Sequence, residues 1–244
     1  MIDHHKVALI IPARMKSTRL PGKVLKKIHN KTILERVYAK CSKVVRKRNI
    51  FIATPDHEII NFCKSKNFLY VKTSDKCFTG TDRVAEVAKK LSHQYFINVQ
   101  ADELFVNNQN IINVYKELLK KKYAVVNCFK PIRNKQEYYS KTIPKVVFNK
   151  KNELLYMSRA GIPSNKKQIF RKSYKQICVY GFNKSSLAIY NLQRKKTFLE
   201  SHEDIEILRF LELGIKVKML KGTGSKLSVD TIDDYKLAKK LIRS

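Results

Sequence analysis

Short apolar runs alternate along the chain with segments in which apolar residues recur at helical spacing. The runs are rich in Val, Ile, Phe and Tyr, a composition that is typical of strands. We expect strands at residues 7–11, 50–54, 96–99, 125–129, 145–148, 177–182 and 217–220.

The segments between the strands have the periodicity of amphipathic helices. The clearest of them begins with Thr32 and Glu35, which have the spacing of a capping box at the start of a helix. We expect helices at residues 32–45, 58–66, 81–91, 109–121, 203–213 and 231–242. This alternation predicts an α/β fold, a Rossmann-like, doubly wound and mainly parallel sheet with helices on both faces.

One stretch, at about residues 131–174, interrupts the alternation. It is rich in Lys, has little helical periodicity and contains Pro144 and Pro163. No linker rich in Pro, Gly or Ser divides the chain, so we expect a single domain over residues 1–244 that includes this excursion. The excursion would serve as a lobe over the active site or as a dimer contact.

Ligands of doubly wound sheets bind beyond the carboxyl ends of the strands. Two aspartates, Asp102 and Asp230, each follow an expected strand end, so the fold would bring them together across 128 positions of sequence. Carboxylates beside phosphate oxygens are the usual environment of Mg²⁺. We therefore expect a magnesium site there. The alternative interpretation of Asp230 is a helix cap before Thr231.

The loop at residues 12–23 has the composition of a polyphosphate-binding loop, because cations and backbone N–H groups both bind phosphate oxygens. It is not a Walker loop, which requires G-x-x-x-x-G-K-[ST], and the chain contains no G-x-G-x-x-G. Its cations and hydroxyls are Arg14, Lys16, Ser17, Thr18, Arg19 and Lys23.

The formal net charge of +31 invites a nucleic-acid interpretation. However, the lysines are spread along the whole chain, and the RNP, zinc-finger and basic-zipper signatures are absent. We favour a lysine-rich surface with an anionic small-molecule substrate and no specific nucleic acid. A basic nucleic-acid-binding protein, or one with an anionic membrane as its partner, is the alternative.

The five cysteines are widely spaced and form no C-x-x-C pair, which favours reduced thiols packed as small hydrophobes over a catalytic or zinc-binding role. No apolar run reaches the roughly 18 residues of a transmembrane helix. The amino-terminal residues lack the pattern of a signal peptide. We therefore expect a cytoplasmic protein.

The order P-A-R-x-x-S-T-R-L-P-G-K-x-L at residues 12–25 resembles the nucleotide-binding signature of sugar nucleotidyltransferases, and within them that of 3-deoxy-manno-octulosonate (Kdo) cytidylyltransferases. Further segments are similar in the same order, and together they cover about residues 7 to 242. They include T-G-T-D-R at 79–83, N-V-Q-A-D-E at 98–103, L-Y-M-S-R-A-G-I-P at 155–163 and V-D-T at 229–231.

The resemblance implies the nucleotide-diphospho-sugar transferase type of fold and a homodimer. It also implies that CTP activates a 3-deoxy-2-ulosonic acid, giving a CMP-sugar and pyrophosphate, with one or two Mg²⁺ ions, for lipopolysaccharide or capsule biosynthesis. The acid would be Kdo or a close relative such as the 8-amino analogue, and another nonulosonic acid, such as a sialic-acid-like sugar, is the alternative.

The resemblance also assigns roles to individual residues. For catalysis it implies Lys23, Arg14 and Asp102, and for the metal Asp102 and Asp230. For the nucleotide it implies Ala13, Arg14, Ser17, Thr18, Arg19, Lys23, Thr79, Gly80, Thr81 and Arg83, although Thr81 could instead cap a helix. For the sugar it implies Gln100, Arg159, Gln176, Tyr180 and Glu203, although Glu203 could instead belong to one exposed helix face together with Glu200 and Glu206.

The chain departs from the family pattern mainly near the expected sugar site. Ala101 and Leu104 replace the usual Gly and Pro, Gln176 replaces a His, and Ser228 replaces a Gly. The nucleotide loop and both aspartates are unchanged. The sequence therefore supports cytidylyl transfer more strongly than it supports Kdo as the acceptor.

Overall fold

The computed structural model describes residue 2, residues 5–224 and residues 227–242. The strands are β1 (Val7–Pro12), β2 (Lys27–Ile28), β3 (Lys31–Thr32), β4 (Ile50–Thr54), β5 (Tyr70–Lys72), β6 (Tyr95–Val99), β7 (Val125–Pro131), β8 (Lys145–Phe148), β9 (Leu154–Ser158), β10 (Tyr174–Asn183) and β11 (Val217–Lys221). The helices are α1 (Ile33–Ser42), α2 (His57–Ser65), α3 (Gly80–Lys90), α4 (Asn108–Leu119), α5 (Lys135–Tyr139), α6 (Lys184–Leu192), α7 (Phe198–Glu203), α8 (Leu208–Glu212) and α9 (Ile232–Leu241). Within these ranges, no helix has the length and apolar character needed to cross a bilayer.

The main sheet has the strand order β11-β7-β10-β6-β1-β4-β5. Its neighbouring pairs are parallel except for those of β10, which runs antiparallel to both β6 and β7. All seven expected strands are present, and the mainly parallel sheet is confirmed. The expectation missed four strands, of which β2, β3 and β5 are only two or three residues long.

Helices cover both faces of the sheet, as a doubly wound fold requires. Leu9 and Ile11 on β1 pack in one layer with α1, α2 and α4. Ala8 and Ile10, which alternate with them, pack in the other layer with α3 and α6. Because successive strand residues point to opposite faces, a strand buried on both sides is a continuous apolar run.

The excursion at residues 131–174 contains α5, β8 and β9. β8 pairs antiparallel with the first residues of β10, through Val146 and Tyr174, and with β9 on its other side. The excursion is therefore an antiparallel extension of the main sheet.

The expected helix at 203–213 is wrong. α7 ends at Glu203, and Asp204 adopts a left-handed conformation with φ of 51°, which breaks the helix before α8 begins at Leu208. The three glutamates at positions 200, 203 and 206 consequently do not share one helix face. The expectation also missed α5 and α6.

A buried ion cluster fixes the α7–α8 region to α3. The guanidinium of Arg209 is fully buried, donates to Glu200 at 2.6 and 2.7 Å and to Asp82 at 2.7 Å, and lies 3.8 Å from the ring centroid of Tyr190. Glu200 is also fully buried. Each charge is stable there only because its partners are present.

We predict that Arg209→Leu lowers the free energy of unfolding by about 3 to 5 kcal/mol, because it leaves Glu200 as an unpaired buried charge. Urea denaturation measures the change. The double variant Arg209→Leu/Glu200→Leu should recover part of the loss, and Arg194→Leu, at an exposed position, should have little effect. Equal stability of Arg209→Leu and wild type would contradict the assignment.

Candidate active site

The candidate site lies at the carboxyl ends of β1, β4 and β6. The loop after β1 is held by its own backbone and by its neighbour: Gly22 donates to the carbonyl of Met15 at 3.0 Å, and Met15 donates to the carboxylate of Asp56 at 2.7 Å. Gly22 has φ of 64°, a conformation that favours glycine. The chain then enters a short 3₁₀ turn that begins at Lys23.

Lys23 lies between the two aspartates that follow distant strands. Its Nζ is 2.5 Å from Oδ2 of Asp102 and 2.9 Å from Oδ1 of Asp230. Arg19 also approaches Asp230, at 3.1 Å. Burial alone would lower the pKa of Lys23, but the two carboxylates outweigh it and raise that pKa above its ordinary value.

Main-chain and side-chain hydrogen bonds join the two aspartate-bearing segments. The backbone N–H of Val229 donates to the carbonyl of Asp102 at 3.2 Å. The hydroxyl of Ser228 donates to the carboxylate of Glu103 at 2.5 Å. The expected convergence of Asp102 and Asp230 is therefore a feature of the fold.

The loop after β1 borders a cavity of about 240 Å³, here called the loop cavity. It has cations on one side and the two aspartates at its floor. Most of the residues that the sequence assigns to a nucleotide lie in its wall: Ala13, Arg14, Ser17, Thr18, Arg19, Lys23, Thr79, Gly80 and Arg83, together with Gln100, Asp102 and Asp230.

The amino terminus of α3 closes the loop cavity. Thr79 caps the helix, since its side chain accepts a hydrogen bond from Asp82 N–H and Asp82 bonds back to Thr79. The alternative assignment of Thr81 as the cap is therefore wrong. Thr81 is fully buried and lies behind the cavity wall, with its N–H bonded to Glu206. A Cβ on Gly80 would lie 2.6 Å from the Gln100 amide nitrogen, so a side chain there would displace the amide that bonds to Glu206.

Arg83 is buried and is committed to the protein itself. Its guanidinium donates to the hydroxyl of Thr73 at 3.0 Å and to the carbonyl of Ser74 at 2.9 Å. Burial lowers the pKa of Arg83. These bonds fix the loop before α3, and only part of the guanidinium faces the loop cavity.

A second cavity of about 260 Å³, here called the sheet cavity, adjoins the first. Arg14, Arg19, Thr79, Gly80, Gln100, Asp102 and Asp230 border both cavities. Unlike the loop cavity, the sheet cavity is also bordered by Arg159, Gln176, Cys178, Tyr180, Asp204 and Glu206. Four of the five residues assigned to the sugar, namely Gln100, Arg159, Gln176 and Tyr180, therefore lie together.

Glu203 does not border the sheet cavity, and its two alternative assignments both require correction. Its carboxylate accepts from the Ser158 hydroxyl at 2.6 Å, the Arg159 N–H at 2.8 Å and the Tyr156 hydroxyl at 3.2 Å, so it ties α7 to β9. Those bonds lower the pKa of Glu203 against the opposing effect of burial. It is therefore neither a wall residue nor an exposed helix residue.

Glu206 borders the sheet cavity, three residues beyond Glu203. Its carboxylate accepts from the N–H of Thr81 at 2.9 Å and from the amide of Gln100 at 3.2 Å. Burial raises the pKa of Glu206. The sequence contains the glutamate, but helical spacing could not distinguish it from Glu203 because the break at Asp204 is not visible in the pattern.

Three residues that depart from the family pattern fit their local structure. Ala101 does not have a positive φ, so its Cβ fits the turn. Leu104 donates its N–H to the carbonyl of Asp102 at 2.9 Å, a bond that proline could not form. The amide of Gln176 donates to Asn127 at 3.0 Å.

Lys145 is a buried cation that the sequence analysis did not single out. Its ammonium donates to the carbonyls of Ser140 at 2.7 Å, Ile143 at 2.8 Å and Arg159 at 2.5 Å. Burial lowers its pKa to about 8, with a further contribution from Arg159. Lys145 therefore holds the loop before β8 against the end of β9, beside the sheet cavity.

Comparison with known proteins defines the class of the molecule. Residues 8–218 match the family model of cytidylyltransferases. The chain belongs to the cytidylyltransferase family.

The similar curated proteins are 3-deoxy-manno-octulosonate cytidylyltransferases. That of Thermodesulfovibrio yellowstonii is 33% identical over 96% of this chain and 97% of its own length. That of Francisella tularensis subsp. holarctica is 35% identical over 96% of this chain and 98% of its own length. The family resemblance inferred from the motifs is confirmed.

The solved structures agree. A CMP:2-keto-3-deoxy-manno-octonic acid synthetase complexed with CTP has a TM-score of 0.88 and 26% identity, covering 97% of this chain and 98% of that one. A cytidylyltransferase from Leptospira borgpetersenii has a TM-score of 0.66 at 16% identity, over 99% of this chain and 89% of its own, and so shows the shared fold alone.

We predict that Lys145→Met lowers the free energy of unfolding at pH 7 by about 3 kcal/mol, because three carbonyls lose their donor. Between the native pKa of about 8 and the ordinary value of 10.5, the unfolded chain binds more protons at Lys145 than the native protein does. The wild type should therefore gain stability relative to the variant as the pH rises through this window.

Urea denaturation at a series of pH values measures both effects. Lys150→Met, at an exposed position of the same excursion, is the control and should show neither. A stability difference between Lys145→Met and wild type that shrinks with rising pH would contradict the lowered pKa.

Proposed function

We propose that the protein transfers a cytidylyl group from CTP to a 3-deoxy-2-ulosonic acid, releasing pyrophosphate. The observation that carries this proposal is the convergence of Lys23, Asp102 and Asp230 where the loop cavity and the sheet cavity meet. The family match and the names of the relatives support the same reaction. The product would supply the synthesis of a cell-surface polysaccharide.

The loop cavity is the proposed CTP site. Arg14 and Arg19 can each bind two phosphate oxygens, whereas Lys23 provides a point charge. Ser17 and Thr18 contribute hydroxyls at the same loop. The base would lie toward the α3 terminus, against Thr79 and Gly80, with Arg83 behind them.

The sheet cavity is the proposed site of the sugar acid. Arg159 uses three of its five N–H groups on the carbonyls of Lys141, Glu203 and Asp204. Its Nη2 also lies 3.7 Å from the Asp204 carboxylate, so a sugar carboxylate would compete with Asp204 for the remaining N–H groups. Gln100, Gln176 and Tyr180 can bind sugar hydroxyls, and Glu206 replaces Glu203 in this role.

The two cavities meet at the position where the reacting atoms must meet. The sugar 2-hydroxyl would attack the α-phosphorus and form a new P–O bond as the P–O bond to pyrophosphate breaks, and the hydroxyl proton would pass to water. Both reactants are anionic, so cations at the junction must offset their repulsion. Lys23 borders the loop cavity and bonds to the two aspartates at this junction, so it can neutralise the charge that develops on the phosphate.

Asp102 and Asp230 fit Mg²⁺ by their chemistry, since both are carboxylates that already share one cation, the Lys23 ammonium. We propose that they hold the metal. When bound, Mg²⁺ would acidify the attacking hydroxyl and stabilise the negative charge on the phosphate oxygens. Lys23 would then exchange its carboxylate partners for phosphate.

We also propose a single-domain cytoplasmic homodimer. The excursion exposes apolar side chains, with Tyr139 on α5, Leu155 on β9 and Ile169 in the loop before β10 exposed by 52, 60 and 47%. Such side chains suit a contact between two copies. Sedimentation of the purified protein at several concentrations tests the dimer.

We predict that Asp102→Asn lowers pyrophosphate release from CTP by at least about 100-fold, because the metal would lose one of its two carboxylate ligands. The backbone bonds of Asp102 are unchanged, so thermal unfolding should stay close to that of wild type. Asp233→Asn, at an exposed position in α9, is the matched control and should retain activity. Wild-type turnover in Asp102→Asn would overturn the metal assignment.

The acceptor can be identified with a panel of Kdo, 8-amino-Kdo and a sialic acid. Each is added with CTP and Mg²⁺, and both pyrophosphate release and the thermal shift are recorded. We expect release with a 3-deoxy-octulosonic acid. Absence of release with every acid, in folded protein, would contradict the proposed function.

A further inference from the structure

The edge of the sheet opposite the active site carries an unusual distribution of charge. Main-chain hydrogen bonds locate this edge: Gln94 and Tyr95 donate to the carbonyl of Lys6, Lys184 donates to the carbonyl of Gln94, and Asn183 donates to the carbonyl of Ala124. The parallel strands begin here. We call it the amino edge.

Each of six adjacent strands has a basic segment at the amino edge. Adjacent strands lie about 4.8 Å apart, so the row extends over roughly 24 Å. In the order of the sheet the basic residues are Lys216 for β11, Lys121 and Lys122 for β7, Lys184 for β10, Lys89 and Lys90 for β6, Lys6 for β1, and Lys43 and Lys47 for β4, all exposed.

Acidic residues are absent from three of the chain segments that contribute to this row. Residues 36–55, 87–101 and 118–136 contain no Asp or Glu. By contrast, the carboxyl ends of the strands carry Asp56, Asp102, Glu103 and Asp230. The acidic residues therefore concentrate at the carboxyl ends of the strands, opposite the row.

Three carboxylates approach the row, and in each case the exposed partner is the cation. The side chains of Lys90, Lys120 and Lys216 are 47, 65 and 75% exposed. Their partners Glu86, Glu117 and Glu153 are only 23, 10 and 18% exposed. A flat anionic surface would thus meet ammonium groups before any carboxylate.

A cavity of about 300 Å³ opens in the row between the starts of β7 and β11. Lys122 and Lys216 lie on its wall with Glu153, and Tyr123, Ala124 and Ile215 supply apolar surface. Leu119, which ends α4 four residues before Tyr123, is 39% exposed. Cations beside apolar surface suit a phospholipid headgroup, whose phosphate is joined to hydrocarbon.

The same features favour a membrane over a nucleic acid. Tyr95, which begins β6, and Tyr123, which precedes β7, are buried and so provide no stacking platform for bases. Most exposed cations of the row are lysines on flexible stems, joined by Arg46 and Arg48 beside Lys47, and lysines suit mobile headgroups as well as fixed phosphates. The chain has no motif that reads base edges.

We propose that the amino edge docks on an anionic phospholipid surface while the active site, at the opposite edge, faces the solution. The attraction is electrostatic and acts within a Debye length of the membrane. Docking and catalysis would use separate residues.

The test is co-sedimentation of the whole protein with vesicles of phosphatidylcholine alone or with about 30% phosphatidylglycerol. Wild type should bind only the anionic vesicles and should dissociate as salt is raised. The variant Lys47→Glu/Lys121→Glu/Lys122→Glu should bind at least tenfold more weakly, with its catalytic turnover unchanged.

The matched control is Lys31→Glu/Lys167→Glu/Lys236→Glu, which makes the same change in net charge at exposed positions away from the row. It should bind within twofold of wild type. Equal losses in both variants would show that only overall charge matters and would overturn the proposal. So would failure of wild type to sediment, unchanged binding of the row variant, or tighter binding to a DNA duplex than to the vesicles at the same salt.

Discussion

The arrangement of the site depends on one interaction, the ammonium of Lys23 between the carboxylates of Asp102 and Asp230. Two carboxylates that both contact one ammonium would repel each other if that cation were absent. The fold contributes the aspartates from the ends of widely separated segments and the lysine from the turn after β1. A cation is thus part of the architecture before any substrate binds.

The supports of this cluster are largely main-chain bonds. Val229 binds the carbonyl of Asp102, Met15 binds Asp56, and Gly80 lets the helix terminus approach Gln100. Leu104 adds a main-chain bond to Asp102 and Ser228 adds a side-chain bond to Glu103, at positions where the family usually has Pro and Gly. The chemistry is preserved while its surroundings vary.

Much of this architecture could be predicted from the sequence, because buried strands are apolar runs and parallel strands place their carboxyl ends together. The direction of β10 could not, since an antiparallel strand in the middle of a sheet has the same composition as a parallel one. The pairing of Arg209 with Glu200 was also missed. Charged residues at helical spacing predict an exposed helix face. The left-handed turn at Asp204, which brings Arg209 to Glu200 in the interior, leaves no signal in the pattern of residues.

The order in which the elements arise has a consequence for synthesis of the protein. Asp230 follows β11, the last strand of the sheet, whereas Lys23 and Asp102 follow β1 and β6. Val229, which precedes Asp230, and Ala238 in α9 also belong to one of the two core layers. The second carboxylate is therefore synthesised together with the residues that complete that layer, so a chain gains its nucleotide site only as its core closes.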